Sequence, residues 1–288
     1  MDMEKGKTKP GAAFQNQSSI PSDFQQFLFV TRYEALKYLR SKRLIAMLII
    51  IALILGLILG IPPALGDDYP SDGLDFAGRF VGFVSIIIIL CITFFGADAI
   101  VSEFQHKTGY VLFPNPLKKS VILFGKFFAS FLSSMLMLLI FYGMVMLSTV
   151  IVTRSLPGEI GLSFLFCVMF LVSALSVTYL LSSIMKGTTG ATVLTFFLFF
   201  LILPIIESVF TFAAVKPWVS ITFASGIISY ILVVPYPTDI VEEMSFGGET
   251  IEIHQFYPEV ALSLIVMLFY MLIAFIFTYF IFLRKEMK

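Results

Sequence analysis

Gly96–Lys126, GADAIVSEFQHKTGYVLFPNPLKKSVILFGK, decides the fold. It is a polar stretch between two apolar runs long enough to cross a bilayer. Apolar residues recur through it (Ala99, Ile100, Phe104, Tyr110, Leu112, Phe113), which predicts that it folds back onto the membrane surface. Asp98 and Glu103 open it, and Lys118, Lys119 and Lys126 close it. The pattern from Ala97 to Lys107 is helical, with Glu103 and Lys107 spaced as an (i, i+4) pair. Gly109 ends that helix. Pro114-Asn115-Pro116 breaks the chain, Asn115 caps a new helix, and Pro116 takes its first position. The result is a helix–break–helix elbow that joins two spans without slack. Burying Asp98 or Glu103 unpaired is costly, so each needs a partner: Lys126, a backbone amide, or a cation on another subunit.

Outward from the elbow, the rest is membrane. The 288 residues are 58% apolar and 13% charged, with mean hydropathy +0.96. Soluble domains average about 45–50% apolar and about 25% charged. The surplus falls into runs of the length that marks transmembrane helices. Six spans are predicted, at 44–65, 80–97, 127–152, 161–185, 191–214 and 260–283, with Pro62-Pro63 ending the first. Residues 1–21 read as a disordered tail with no secretory signal. Residues 22–288 read as one transmembrane domain. Gly6-Lys7-Thr8 lacks the earlier glycine and the strand of a phosphate loop.

Residues 22–43 predict a helix capped by Ser22 or Asp23. Phe24, Phe27, Leu28, Ala35 and Leu39 favour one face, and Arg32, Lys37, Arg40, Lys42 and Arg43 crowd its second half. That suits an interfacial helix on an anionic leaflet. With the N-terminus in the cytoplasm, all but Arg79, Arg154 and Lys216 of the 19 Lys and Arg lie inside. The positive-inside rule therefore gives N-in, C-in. Trp218–Val234 is apolar enough for a seventh span, but that would reverse the C-terminal charge bias. Pro217 and Pro235 bracket it, and it reads as a re-entrant or interfacial segment outside. A small β-hairpin follows, turning at Ser245–Gly248. The fold class is thus an all-α polytopic membrane protein with six transmembrane helices.

Enzyme chemistry finds little footing. No HExxH zinc motif is present, and His106 and His254 are the only histidines. Glu242-Glu243 is a loop pair without the arginine an intramembrane protease would need. Cys91 and Cys167 sit in apolar runs and read as buried hydrophobes. Span serines such as Ser133, Ser134, Ser173 and Ser176 lack a histidine to activate them and suit helix packing. Gradient-driven carriers place charge at mid-bilayer. Here Glu207, beside Pro204, lies some 16 residues beyond Ala191, about 24 Å along the helix and near the outer boundary. An external energy source follows. Three readings come from this: a transport subunit driven by an energy source outside the chain, a membrane anchor or assembly protein for a cytoplasmic partner, and an intramembrane hydrolase.

Ile100-Val101-Ser102-Glu103, then Thr108, Leu112, Pro116 and Gly125-Lys126, resembles the elbow of the ABC-2 type transporter permeases. The resemblance covers about residues 24–288, with a modest outer loop and no fused ATPase domain. It implies a cell (plasma) membrane permease without its own ATPase site, paired as a homodimer or heterodimer. Each copy would rest on a separate ATP-binding cassette subunit that holds ATP and Mg. Asp98, Glu103, Thr108, Pro116, Gly125 and Lys126 are the candidate coupling residues. By the same resemblance, spans two and five line a central path, with Thr93, Phe94, Phe95, Phe197, Phe200 and Glu207 as candidates. An aromatic, uncharged path favours a hydrophobic or amphipathic cargo, and the resemblance implies export.

Overall fold

The computed structural model describes residues 22–105, 118–246 and 249–285. The predicted N-terminal tail, Gly109 and the Pro114–Pro116 break lie outside them. Six helices are long and apolar enough to cross a membrane: Lys42–Leu65, Gly73–Phe95, Lys119–Thr153, Glu159–Ile184, Thr188–Phe212 and Val260–Arg284.

The chain opens with α1 (Asp23–Leu39), which begins in a capping box. Ser22 accepts from the Gln25 amide, and the Gln25 side chain accepts from the Ser22 amide. The first span is α2 (Lys42–Leu65). It carries both Pro62 and Pro63 inside its last turn and ends at Leu65, the predicted end of the span. Pro63 cannot donate to the Leu59 carbonyl four residues back, and the Tyr69 hydroxyl donates to that carbonyl instead. The proline carbonyls accept from the amides of Gly66 and Asp67, and Gly66 at φ 79° closes the helix.

The second span starts earlier than predicted. Asp72 caps α3 (Gly73–Val81) by accepting from the amides of Leu74 and Asp75, so Arg79 is helical rather than in a loop. A short step at Gly82-Phe83 leads into α4 (Val84–Phe95). After it come the five-residue α5 (Val101–Gln105), then α6 (Lys119–Thr153) and α7 (Glu159–Ile184). At 35 residues α6 is about 52 Å long, well beyond the ~30 Å of a hydrocarbon core.

The fifth span has three pieces: α8 (Thr188–Phe197), a π turn (Leu198–Ile202) and α9 (Leu203–Phe212). Trp218–Val234 makes no seventh span. It forms α10 (Ile221–Ser225) and α11 (Ile227–Tyr230), five and four residues long, with Ile221, Ala224, Ile227 and Ile228 buried. Strands β1 (Ile240–Phe246) and β2 (Glu249–Gln255) pair antiparallel, Ile240 opposite Gln255. The last span is α12 (Val260–Arg284).

The core is the contact of α3, α4, α6 and α7, filled by Phe76, Phe80, Ile87, Phe95, Phe141, Phe170 and Tyr179. Serines fasten it: Ser173 donates to the Met267 carbonyl across α7 and α12 (2.7 Å), and Ser163 to that of Ile228 (2.6 Å). One end of the bundle gathers Arg43, Lys118, Lys119, Lys126 and Lys285. The other gathers Asp72, Glu159, Asp239 and the hairpin carboxylates. The two ends are called basic and acidic below.

Candidate coupling site

The basic end is assembled around a crossing of α1 over α6. A Cβ added at Gly125 would stand 2.7 Å from Val30 Cγ1, so only a glycine lets the two backbones meet here. The Thr31 hydroxyl donates to the Gly125 carbonyl at 3.4 Å. The next residue, Lys126, is 2% exposed and sits between two carboxylates. Its Nζ lies 2.6 Å from Glu34 Oε1 and 2.7 Å from Glu103 Oε1. Lys37 reaches the other Glu34 oxygen at 3.3 Å. Lys126 lies 27 residues from Thr153, about 40 Å along the helix and past the apolar layer. Removing one member of such a buried set leaves an uncompensated charge, at a cost of about 3–5 kcal/mol.

Helix α1 thus turns its polar residues inward. Gln26, Thr31, Glu34 and Tyr38 are buried, whereas Phe24, Leu28 and Leu39 are exposed. Of the apolar face predicted for lipid, Phe24, Leu28 and Leu39 are exposed, whereas Phe27 packs on Phe128 and Ala35 on the core, and polar groups share in the docking. Behind the triad, Ser130 Oγ donates to the Phe95 carbonyl (2.6 Å) and lies 2.8 Å from the Tyr179 hydroxyl and 3.4 Å from that of Tyr38. Burial pushes the Tyr38 hydroxyl well above its ordinary value, so it remains neutral.

Asp98 finds a different partner. Arg43 Nη2 lies 2.6 Å from its Oδ2, and Arg43 Nη1 donates to the Phe94 carbonyl at 2.8 Å, covering the C-terminal end of α4. A Cβ on Gly96 would stand 2.7 Å from Leu175 Cδ1, which holds the turn out of α4 tight against α7.

The short α5 is fixed to four spans. Glu103 pairs with Lys126 of the third. Ser182 of the fourth accepts from the amides of Ile100 and Val101, both at 3.2 Å. Gln105 Oε1 accepts from the Thr188 amide of the fifth at 2.6 Å. Phe104 packs edge-on against Phe282 of the sixth, with Lys285 Nζ 4.5 Å from its ring centre. Lys285 in turn donates to the carbonyls of Ser183 (2.8 Å) and Met185 (3.3 Å), and burial holds its ammonium below its ordinary value.

Of the predicted coupling residues, the structure brings Glu103, Gly125 and Lys126 together and places Asp98 beside them on Arg43. Thr108 and Pro116 lie outside the described residues. Glu34, Arg43, Gln105 and Ser182 complete the site and were not anticipated. Glu34 carried a signal, as the one acid among the basic residues of 32–43.

The predicted path residues do not share a surface in this chain. Thr93 is buried and donates to the Ile89 carbonyl (2.6 Å), and Phe95 is buried against Tyr38. Phe94 is half-buried; Phe197 and Phe200 are exposed, with Phe196 stacked on Phe200 at 5.1 Å. Glu207 is half-buried at the acidic end and accepts from Ser220 and Thr222. Among the described residues, no group of three His, Cys, Asp or Glu side chains is placed to hold a metal ion.

Residues 67–281 match the family described as ABC-2 family transporter protein. The chain belongs to the ABC-2 transporter family. It is a multi-pass membrane protein and a permease component of an ABC transporter, a class that works with an ATP-binding cassette partner. The match includes Asp98, Glu103, Gly125 and Lys126, whereas Glu34 and Arg43 precede it. No curated protein matches the chain significantly.

Proposed function

We propose that this chain is the membrane subunit of an ATP-driven exporter of the plasma membrane. Its cargo is hydrophobic or amphipathic, and ATP and Mg are bound on a separate subunit. One observation carries the reading: α5, immediately before residues 106–117, is fixed to the third, fourth, fifth and sixth spans at once. A partner that presses on 106–117 therefore moves one short helix and, through it, four spans. Such a part converts a nucleotide-dependent change in a neighbour into a change among spans. The basic end faces the cytoplasm, where that neighbour sits, and Asp98, Glu103, Gly125 and Lys126 are its coupling residues. Two copies pair, and the exposed Phe197 and Phe200 face the path between them. The cargo class follows from that uncharged, aromatic surface.

The test is co-purification of the chain with an ATP-binding cassette protein, followed by reconstitution. Glu103→Gln should leave the complex intact and break the link between ATP turnover and cargo movement. Normal coupling in that variant refutes the role assigned to α5. A complex with a cytoplasmic protein that lacks ATPase activity would instead make the chain an anchor.

A further inference from the structure

The fifth span is built unlike the other five. Its first part, α8, is packed into the bundle, with Ala191 and Thr195 fully buried. Its last part, α9, is not: none of its ten residues is buried by the rest of the described chain. Between them lies the π turn Leu198–Ile202, where the Leu203 amide donates to the Leu198 carbonyl five residues back. Pro204 follows at once. In a regular α-helix its ring would press on the Phe200 carbonyl and its missing N–H would leave that carbonyl unfilled. The wider π register relieves the clash, and insertions of this kind mark places where a helix changes direction or function.

This part packs on β2 and α10, and one residue anchors it by side-chain hydrogen bonds. Among the described residues, the only side-chain hydrogen bonds leaving α9 are those at Glu207. Its Oε1 accepts from both the Ser220 and Thr222 hydroxyls, which lie 3.0 Å from each other. Those two belong to the start of the re-entrant segment, whose following residues are buried against α7 and α12. The arrangement is a joint, a stiff arm of ten residues, and a charged catch at its end.

We propose that α9 is a gate arm that pivots at the π turn and that Glu207 is the latch holding it closed on Ser220 and Thr222. This deepens the export reading, supplying a moving part at the acidic end, and it depends on that reading only for what passes. Opening costs two charge-assisted hydrogen bonds and the packing of α9 on β2 and α10, but it uncovers no fully buried residue of α9.

The test is the distance between spin labels on the permease in lipid nanodiscs. One label stands at Phe212, on the arm, and one at Leu162, on the core helix α7; both positions are exposed. A second pair replaces Phe212 with Val193, on the packed half of the same span. The native Cys91 and Cys167 are buried and take up little label. Glu207→Ala should broaden the Phe212–Leu162 distribution and add a longer component. Ser220→Ala/Thr222→Ala should do the same by removing the donors. Glu207→Gln keeps an acceptor oxygen and should stay narrow. The Val193–Leu162 distribution should stay narrow in every variant. An unchanged Phe212 distribution in both latch variants overturns the proposal. So does equal broadening of the Val193 pair, which would mean loosening of the whole span, or a Glu207→Gln distribution as broad as that of Glu207→Ala. The measurement needs neither cargo nor ATPase, so its result is separate from that of the export reading.

Discussion

Glu34 and Lys126, 92 residues apart, meet at 2.6 Å where neither side chain is more than 8% exposed. Glu103 approaches the same ammonium from α5, so one lysine joins the N-terminal helix, the third span and the start of the elbow.

Lys126→Met should destabilise the protein by about 3–5 kcal/mol, because two buried carboxylates lose their common cation. Thermal unfolding in detergent checks this. The triple variant Glu34→Gln/Glu103→Gln/Lys126→Met removes all three charges and should recover much of the loss. If the triple variant is as unstable as Lys126→Met, the triad is not held by charge pairing.

Gly125→Leu should displace α1, since the close approach to Val30 leaves no room for a side chain. Overpacking of this kind costs about 1–3 kcal/mol. A cysteine at Thr31, buried in the native protein, should become reactive to a maleimide in the Gly125→Leu background. Continued protection would show that α1 docks by another route.

Gln105→Ala and Ser182→Ala each remove side-chain bonds to backbone amides that fix α5. Each should cost about 0.5–1.5 kcal/mol in stability. If α5 transmits motion, each should also lower cargo movement per ATP more than it lowers ATP turnover. Equal losses in both quantities would reduce α5 to a structural brace.

The acidic-end hairpin should loosen in acid. Burial raises the Asp239 carboxyl, but the Tyr257 amide (2.8 Å) and the Lys216 ammonium (2.9 Å) outweigh it, and its net pKa lies below the ordinary 3.8. A lowered carboxylate contributes stability above its unfolded value and loses it as pH falls through the folded one. Proteolysis of residues 235–258 should therefore be constant from neutral pH down to the ordinary carboxylate range and rise below it. Asp239→Asn should show the acid level of cleavage at every pH.

Topology has its own check. A cysteine at Glu242, an exposed hairpin position, should react with an impermeant maleimide added outside intact cells. Protection there would reverse the assignment of the basic end to the cytoplasm.

The six spans were legible because their signal is additive: eighteen or more apolar residues in a row need no knowledge of neighbours. Their ends were less so. Arg79 and Asp75 look like loop residues, yet the cap at Asp72 carries the helix through them. Pro62-Pro63 looks like a stop, yet Tyr69 supplies the missing donor. The elbow's Glu103, Gly125 and Lys126 could be named from the sequence, but their geometry could not. Glu34 sits in a basic helix where the nearest cation, Lys37, is its obvious mate. Its deeper partner is fixed by a helix crossing that no local pattern encodes. The π turn was likewise invisible, because Leu-Phe-Phe-Leu-Ile suits an α-helix equally well. Only Pro204 hinted at a break in register.

The reach of the Glu34–Lys126 contact also sets an order of construction. Synthesis runs from the N-terminus, so α1 exists before either of its partners is made. Through the insertion of two complete spans, Glu34 faces water with its docking surface uncovered. Only when α6 has entered the membrane does Lys126 arrive, and α1 can settle. Helix α1 is thus made before the helix on which it docks, and it is among the last elements of its half to find its place. A variant lacking that lysine would accumulate with α1 undocked, open to the quality-control proteases that survey nascent membrane proteins.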